Sequence, residues 1–363
     1  MADRRLAGPV RIVGTGLLGT SIGLALSARG VDVSLADTSP SSVALAVDYG
    51  AGRRAAAGDA PSLVIVCVPP DVTAATVAAE LAAFPDALVT DVASVKAGPL
   101  AELVASGADI SRYIGSHPMA GRERSGAISA RADIFVGRPW VIAGHDGITY
   151  SRAAEVEQLA LDLGAIPVEM TVDEHDRNVA LVSHVPQVVS SLLGARLTGA
   201  TEAAVSLAGQ GLRDTTRIAS SDPELWVQIL SANASEVSGI LRQYRDDLDG
   251  LLSALENPDA PGARRAIAEA LAKGTTGVAR IPGKHGQSAQ FAQLVVIVND
   301  TPGQLARLLT DIGDAGINME DLRLEHSPGA QIGLAEISVL PEAEQRLVAE
   351  LEARGWKIAE TLG

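Results

Sequence analysis

The sequence predicts an α/β protein: a doubly wound parallel sheet, then an all-helical middle region, then a small C-terminal βαββαβ module. Three observations carry that expectation. A glycine-rich turn near the start joins a short apolar run to a helical pattern. Apolar runs of strand length then alternate with helical stretches to about residue 168. Strand signals stop at Thr171 and return only after Gln290.

The turn is Val10-Arg11-Ile12-Val13-Gly14-Thr15-Gly16-Leu17-Leu18-Gly19-Thr20-Ser21, and its first four residues read as a buried strand. Gly14 permits the tight turn, Gly16 lets backbone approach a diphosphate, and Gly19 lets helix and strand pack closely. Leu18, Ile22 and Leu26 recur at near-helical spacing, and Gly30 stops the helix. Free amides at the helix start, with the helix dipole, favour an anion. The next strand ends at Asp37, 18 residues after Gly19. An acid there suits the two ribose hydroxyls of NAD and repels the extra phosphate of NADP. A glycine triplet alone is weak, since many such turns bind nothing. With the strand before it, the helix after it and the acid, a Rossmann-type dinucleotide site is the expected reading.

Further buried strands are expected at 63–68, ending in Val68 before Pro69-Pro70, and at 87–92, followed by Ser94-Val95-Lys96. Another at 113–116 leads to His117-Pro118, and two more are expected at 139–143 and 165–170. Ligands of such a sheet lie at the carboxyl ends of its strands, so Ser94 and His117 should both face the crevice. Residues from Thr171 to about Arg280 read as helices, one of them started by Ser221-Asp222-Pro223-Glu224 and another by Pro261. Helices this apolar must bury against something, and a partner subunit is the expected cover. A linker follows, with Pro282, Gly283 and Gly286. Beyond it come a strand at 293–298, a helix begun by Asp300-Thr301-Pro302-Gly303, a strand opened by Gly316-Ile317-Asn318-Met319, a strand at 331–340, a helix at 341–354 and a strand at 356–360. That order is the split, ferredoxin-like one. The expected division is therefore a dinucleotide-binding domain over 1–170, a helical substrate and dimerisation domain over 171–280, a linker over 281–290 and a regulatory module over 291–363.

The 363 residues carry a formal net charge of −15 and are 47% hydrophobic. That is globular composition, and its acidity argues against a nucleic-acid partner. The single cysteine, Cys67, leaves no internal disulfide and fits a reducing compartment. The N-terminus has no apolar signal region and the chain no membrane-spanning stretch, so a cytoplasmic protein is expected. One cysteine and scattered histidines make no metal site.

His117, held at a strand end before a proline and the loop Met119-Ala120-Gly121, is the strongest candidate for proton transfer. A histidine bonding a loop carbonyl would look the same; Ser94 one strand over tips the reading towards chemistry. Ser94 could otherwise be a helix cap. His184, in Ser183-His184-Val185-Pro186-Gln187, lies where Pro186 should kink a helix, although a satisfied core histidine fits the pattern equally. Arg213-Asp214-Thr215-Thr216-Arg217 is charged within an apolar region. It is either a solvated face or an arginine fork for a carboxylate. Arg122, Glu123 and Arg124 add charge to the loop after His117 or are simply solvated.

Taken together, the glycine loop, Asp91-Val92-Ala93-Ser94-Val95-Lys96, Gly115-Ser116-His117-Pro118-Met119-Ala120-Gly121, His175-Asp176, Ser183-His184-Val185-Pro186 and Arg213-Asp214-Thr215-Thr216-Arg217-Ile218-Ala219 resemble the prephenate/arogenate dehydrogenases of tyrosine biosynthesis. The resemblance implies NAD-dependent oxidative decarboxylation of a cyclohexadienyl alcohol by a homodimer. It implies that His117 takes the hydroxyl proton, that Ser94 bonds the same hydroxyl, that Arg217 with Asp214 clamps a carboxylate, and that Glu123, His184 and Gln187 line the substrate. Gly14, Gly16, Leu17, Leu18, Gly19, Asp37 and Val68 would hold the cofactor. Where the family often has a second histidine this chain has Gln187, which keeps hydrogen bonding but cannot titrate or carry charge; that opens arogenate as the alternative substrate, with prephenate kept ahead. The C-terminal module, with Asn299-Asp300-Thr301-Pro302-Gly303 and Gly316-Ile317-Asn318-Met319, is similar to ACT domains. That implies an amino-acid effector, tyrosine as end product, held by Asn299, Asp300, Gly303 and Asn318; a module that only dimerises is the alternative. The rivals are a hydroxyacid dehydrogenase of the phosphoglycerate type, which the early glycine loop opposes, and a non-catalytic nucleotide or amino-acid sensor.

Overall fold

The computed structural model describes residues 4–120, 126–281, 291–326 and 332–362. Packing divides the chain into two compact units. One holds the chain up to Ala200 together with Thr215–Tyr244; the other holds Thr201–Asp214 and the chain from Arg245 onward. The cut differs from the expected three domains because the middle helices are shared between the two units.

The first unit is built on strands β1 (Val10–Val13), β2 (Val33–Ala36), β3 (Arg53–Arg54), β4 (Leu63–Val66), β5 (Leu88–Asp91), β6 (Tyr113–Pro118), β7 (Pro139–Gly144) and β8 (Ile166–Thr171). They form one sheet in the order β3-β2-β1-β4-β5-β6-β7-β8. Neighbours from β3 through β6 are parallel, which is the doubly wound half of the expectation. β7 runs antiparallel to β6 and parallel to β8, a reversal that the sequence pattern did not indicate. The described part of the connection carries a 3-10 turn, Ala127–Ser129, and no crossover helix, and a parallel return needs a crossover. The pairing with β7 runs through His117↔Val141 and Pro118↔Trp140, so His117 lies inside β6 rather than past its end.

Helices α1 (Leu17–Ser27), α2 (Pro40–Asp48), α3 (Pro70–Ala83), α4 (Ala97–Ala105) and α5 (Tyr150–Asp162) cover the sheet. All four residues of β4 are buried. Leu63 and Ile65 pack into one core with Ile12, Ile22 and Leu26. Val64 and Val66 pack into another with Val77, Leu81 and Leu103. A strand apolar on both faces is what two helical layers require. Each such side chain contributes about 1.5–3 kcal/mol on burial. Gly14 has φ +99°, and a Cβ on Gly19 would collide with the Gly14 carbonyl oxygen.

Thr171 starts the helical region with a reciprocal cap. Its hydroxyl accepts from Glu174 N at 3.2 Å, and Glu174 Oε2 accepts from Thr171 N at 2.9 Å. α6 (Val172–Val179) then widens into a π-helical turn, Ala180–His184, before α7 (Val185–Ala195). The irregularity thus falls just before Pro186, the residue expected to cause a kink, since proline lacks the N–H that the regular ladder uses. α8 (Glu202–Ser206), α9 (Gln210–Thr216), a 3-10 turn Arg217–Ser220, α10 (Pro223–Ala232), α11 (Ala234–Glu256) and α12 (Ala263–Val278) follow. Asp222 caps α10, accepting from Glu224 N at 3.0 Å. Leu181, Leu192, Leu207 and Leu271 stand 59–84% exposed, so these helices keep apolar faces uncovered in a single chain. No described helix is long and apolar enough to cross a membrane.

In the second unit, β9 (Ala292–Asn299), α13 (Gln304–Asp314), β10 (Asp321–His326), β11 (Ile332–Val339), α14 (Pro341–Ala353) and β12 (Lys357–Leu362) follow the βαββαβ order. The sheet is antiparallel in the order β10-β11-β9-β12. Alternate residues Leu294 and Val296 of β9 meet Leu308, Ile312, Leu347 and Leu351. β10 begins at Asp321, later than the run opened by Gly316, whose φ of +66° turns the chain first. Pro282, Gly283 and Gly286 of the expected linker lie outside the described residues.

Replacing Gly19 with alanine should lower unfolding free energy by about 1–3 kcal/mol, the usual cost of overpacking, as read by chemical denaturation. Gly58→Ala, where the added carbon meets nothing within 4 Å, should stay within about 0.5 kcal/mol of the parent.

Candidate active site

The glycine loop sits where β1, β2 and β4 end. Gly14 N donates to Ala36 O at 2.8 Å, and Val68 lies close enough that a Gly14 Cβ would sit 3.2 Å from its Cγ1. Gly16 is the N-cap of α1, with no side-chain cap and nothing within 4 Å of the position a Cβ would take. Leu17 and Leu18 open that helix, whose first amides have no side-chain cap. Asp37 closes the loop: its Oδ2 accepts from Thr15 N at 2.7 Å and from Thr15 Oγ1 at 3.0 Å, and its Oδ1 from Ser39 N at 2.8 Å. Burial opposes ionisation here, but the bonds from Thr15, Ser39 and Thr38 outweigh it and hold the carboxyl below its usual range. Uncapped amides, an open Gly16 and an ionised Asp37 fit a dinucleotide diphosphate and ribose.

One strand over, β5 ends in Asp91, which is fully buried. Its carboxylate accepts from Tyr113 Oη at 2.7 Å and from Ala93 N at 2.8 Å, and it pairs with Lys96 Nζ. Lys96 is itself only 1% exposed. Burial pushes its ammonium below the usual lysine range, and Asp91 pulls it back up. The lysine stem runs beneath β6 at Gly115, where a Cβ would meet Lys96 Cδ at 2.7 Å. The glycine is there to let the lysine through.

Beyond Lys96 begins α4, and its first amides are capped from far along the chain. Asp176 Oδ1 accepts from Lys96 N at 2.9 Å, and Oδ2 from Ala97 N at 2.8 Å. Ser94, weighed as a helix cap from sequence, is therefore free of that task. The same Asp176 Oδ1 lies 2.7 Å from His175 Nδ1, and His175 Nε2 lies 2.9 Å from His117 Nδ1. Burial opposes the Asp176 charge, but His175 and the two amides outweigh it and keep the carboxyl low. His117, half-buried, has its pKa driven well below 6.5 by burial, then by His175, Lys96 and His184. It is neutral at neutral pH. Asn233 Nδ2 donates to Asp176 O at 2.7 Å and to His184 Nδ1 at 3.2 Å. An amide nitrogen only donates, so His184 carries its hydrogen on Nε2.

A cavity of about 470 Å³ opens over these groups, lined by Ser94, His117, Met119, His184, Gln187 and Trp226 among others. Gln187, only 5% exposed, also donates to Ser191 Oγ at 3.4 Å. A second cavity of about 360 Å³, beside His145 and Glu169, is lined by none of these residues. Arg217 is exposed and outside the lining, although Ile218 and Ser221 of its turn belong to it. Asp214 accepts from Gln210 Nε2 at 2.8 Å and falls in the other compact unit. Glu123, with Gly121, Arg122 and Arg124, lies outside the described residues. Sequence reasoning did not assign roles to Lys96, Asp91, Tyr113, His175, Asn233 or Trp226. Only Asp91, Lys96 and His175-Asp176 left a trace, as polar residues inside motifs.

His184 should make the fold acid-sensitive. Burial lowers its pKa from 6.5 to about 4, with Asp176 opposing and His175 assisting. The unfolded chain therefore binds a proton that the folded one refuses between those values. This contribution is complete above pH 6.5 and is lost progressively down to about pH 4, on the order of 3 kcal/mol in all. Denaturation midpoints over that range should fall in the parent and flatten in His184→Gln.

Comparison with known proteins fits this geometry. A family model described as "Prephenate dehydrogenase, nucleotide-binding domain" matches residues 22–169, and "Prephenate dehydrogenase, dimerization domain" matches residues 171–269. The probable prephenate dehydrogenase NovF of Streptomyces niveus is 37% identical over 356 residues, spanning 95% of this chain and 98% of that protein. The prephenate dehydrogenase of Bacillus subtilis is 26% identical, over 95% of this chain and 96% of its own. The crystal structure of Aquifex aeolicus prephenate dehydrogenase in complex with hydroxyphenyl propionate and NAD+ matches with a TM-score of 0.67 at 25% identity, covering 77% of this chain and all of that one. By its two matched regions and its near full-length relative, the chain belongs to the prephenate dehydrogenase family.

Proposed function

We propose that the protein is an NAD-dependent prephenate dehydrogenase of tyrosine biosynthesis, converting prephenate to 4-hydroxyphenylpyruvate and carbon dioxide. The observation that carries the reading is the meeting of neutral His117 and Ser94 in one cavity, beside a loop shaped for a dinucleotide. NAD, when bound, accepts the hydride from the carbinol carbon. His117 takes the hydroxyl proton, and Ser94 bonds the same oxygen and holds it towards the imidazole. Loss of carbon dioxide leaves the ring electrons to aromatise, and the proton held by His117 is returned to the phenolate oxygen. His184 offers an N–H, and Gln187 an amide, to the polar groups of the substrate. Arg217, on the turn that brings Ile218 into the lining, is the residue assigned to a substrate carboxylate, and the family resemblance gives Glu123 a contact with the substrate. Asp37 selects NAD over NADP by repelling a ribose phosphate.

The exposed apolar helices support a homodimer, which would cover them. The C-terminal module supports a ferredoxin-like, ACT-type reading, with tyrosine as an inhibitory effector. Gly303, at φ +89°, caps α13 beside Asn299 and Asp300. Asn318 precedes Asp321, which pairs with Ser338 of β11, and Ser338 pairs in turn with Gln293 near the start of β9, whereas Asn299 is at the end of β9. About 20 Å of strand separates the two asparagines, so one effector touching both requires two modules.

Reduced nicotinamide should form with prephenate and NAD, and weakly or not at all with prephenate and NADP. His117→Asn should lower kcat about 10²- to 10⁴-fold with NAD affinity nearly unchanged. Turnover with arogenate alone would move the substrate assignment to the amino acid, and binding of NAD without any turnover would favour a sensor. Calorimetric titration with tyrosine should show binding and matching inhibition; an absence of both removes the effector.

A further inference from the structure

The geometry points to His175 and Asp176 as a positioning pair that fixes the hydrogen of His117 on Nδ1, leaving its Nε2 lone pair to face the cavity as the proton acceptor. The inference rests on the dehydrogenase reading for its catalytic consequence, but not for its structural content. It begins at the buried end. The Asp176 carboxylate accepts from two backbone amides, of Lys96 and Ala97, which can only donate. An ionised carboxylate so held can only accept from His175 as well, so His175 Nδ1 carries a hydrogen. A neutral His175 with its one hydrogen on Nδ1 presents a lone pair at Nε2. The atom facing it at 2.9 Å, His117 Nδ1, must then donate. A neutral imidazole has one hydrogen, so His117 Nε2 is bare.

The environment supports a single arrangement. His175 is fully buried and Asp176 is 3% exposed, so neither partner can be replaced by bulk water. The rings of His117 and His175 meet edge to face, centroids 5.1 Å apart, which aims one nitrogen at the other. Lys96, which lies close enough to depress the His117 pKa, disfavours a second buried cation there. When His117 takes a proton at Nε2, its Nδ1–H bond to His175, itself bonded to the Asp176 carboxylate, stabilises the imidazolium without Asp176 becoming protonated. Neither His175 nor Asp176 lines the cavity. Their effect passes through His117.

The test reads the ring hydrogens directly. Nitrogen-15 ring correlations of the full chain, with the His117 signals assigned by their loss in His117→Asn, should show hydrogen on Nδ1 and none on Nε2. In His175→Leu, which removes the acceptor, the hydrogen should move to Nε2. Turnover should fall about 10²- to 10⁴-fold, the usual worth of a general base, with KM for NAD nearly unchanged. His175→Gln, whose amide oxygen can accept again, should restore the Nδ1 hydrogen and recover turnover at least about tenfold over the leucine variant. A parent spectrum with hydrogen on His117 Nε2 overturns the inference, as does a His175→Leu variant with unchanged tautomer and turnover. Nδ1 hydrogen in a protein that turns over neither prephenate nor arogenate would leave the pair in place and sink the dehydrogenase reading instead.

Discussion

Much of the first unit depends on where the carboxylate of Asp176 finds its partners. A buried charge is costly unless its lone pairs are filled, and here two backbone amides and an imidazole fill them. The amides belong to the start of α4, and the carboxylate to α6, 80 residues further along the chain. One interaction thus caps a helix of the nucleotide half, anchors the first helix of the helical half and holds a histidine against His117. Removing it would leave open amides and an unpaired ring in the same buried place, a cost larger than that of an ordinary cap.

A second buried charge pair lies alongside. Lys96 and Asp91 neutralise each other beneath β6, with Tyr113 Oη completing the carboxylate and Gly115 leaving room for the lysine stem. Such pairs are weak sources of stability, since desolvation offsets most of the attraction. Their consequence here is electrostatic. His117 stands near a buried cation and two other imidazoles, which together with burial keep it unprotonated. A proton acceptor that is vacant at neutral pH follows from its neighbours rather than from its own chemistry.

The helical region shows the opposite economy. Several of its polar contacts are local caps, such as Thr171 with Glu174 and Asp222 with Glu224, while large apolar side chains such as Leu207 and Leu271 stay exposed. Uncovered surface of that kind on a chain with well-packed α/β cores is what an unfilled interface looks like. The family model for these residues is described as a dimerization domain.

The glycine loop, the strands β1, β2 and β4 to β8, the proline-led helix starts and the βαββαβ order were legible in the sequence because each depends on neighbours within a few residues. Gly14, Gly16 and Gly19 act through their own missing side chains, and the apolar run of β4 announces burial on both faces. His117, Ser94, His184 and Gln187 could be named for the same reason: strand ends and a helix break are local features. Other facts were decided by pairings between distant residues. β7 turned back on β6 instead of crossing over, Lys96 proved to be core, and Asp176 proved to be both cap and anchor. Hydrophobic periodicity cannot report a buried lysine or a carboxylate that serves amides 80 residues away. Those choices are made by which unsatisfied groups meet when the sheet and the helices close on each other, and only the tertiary structure brings them together.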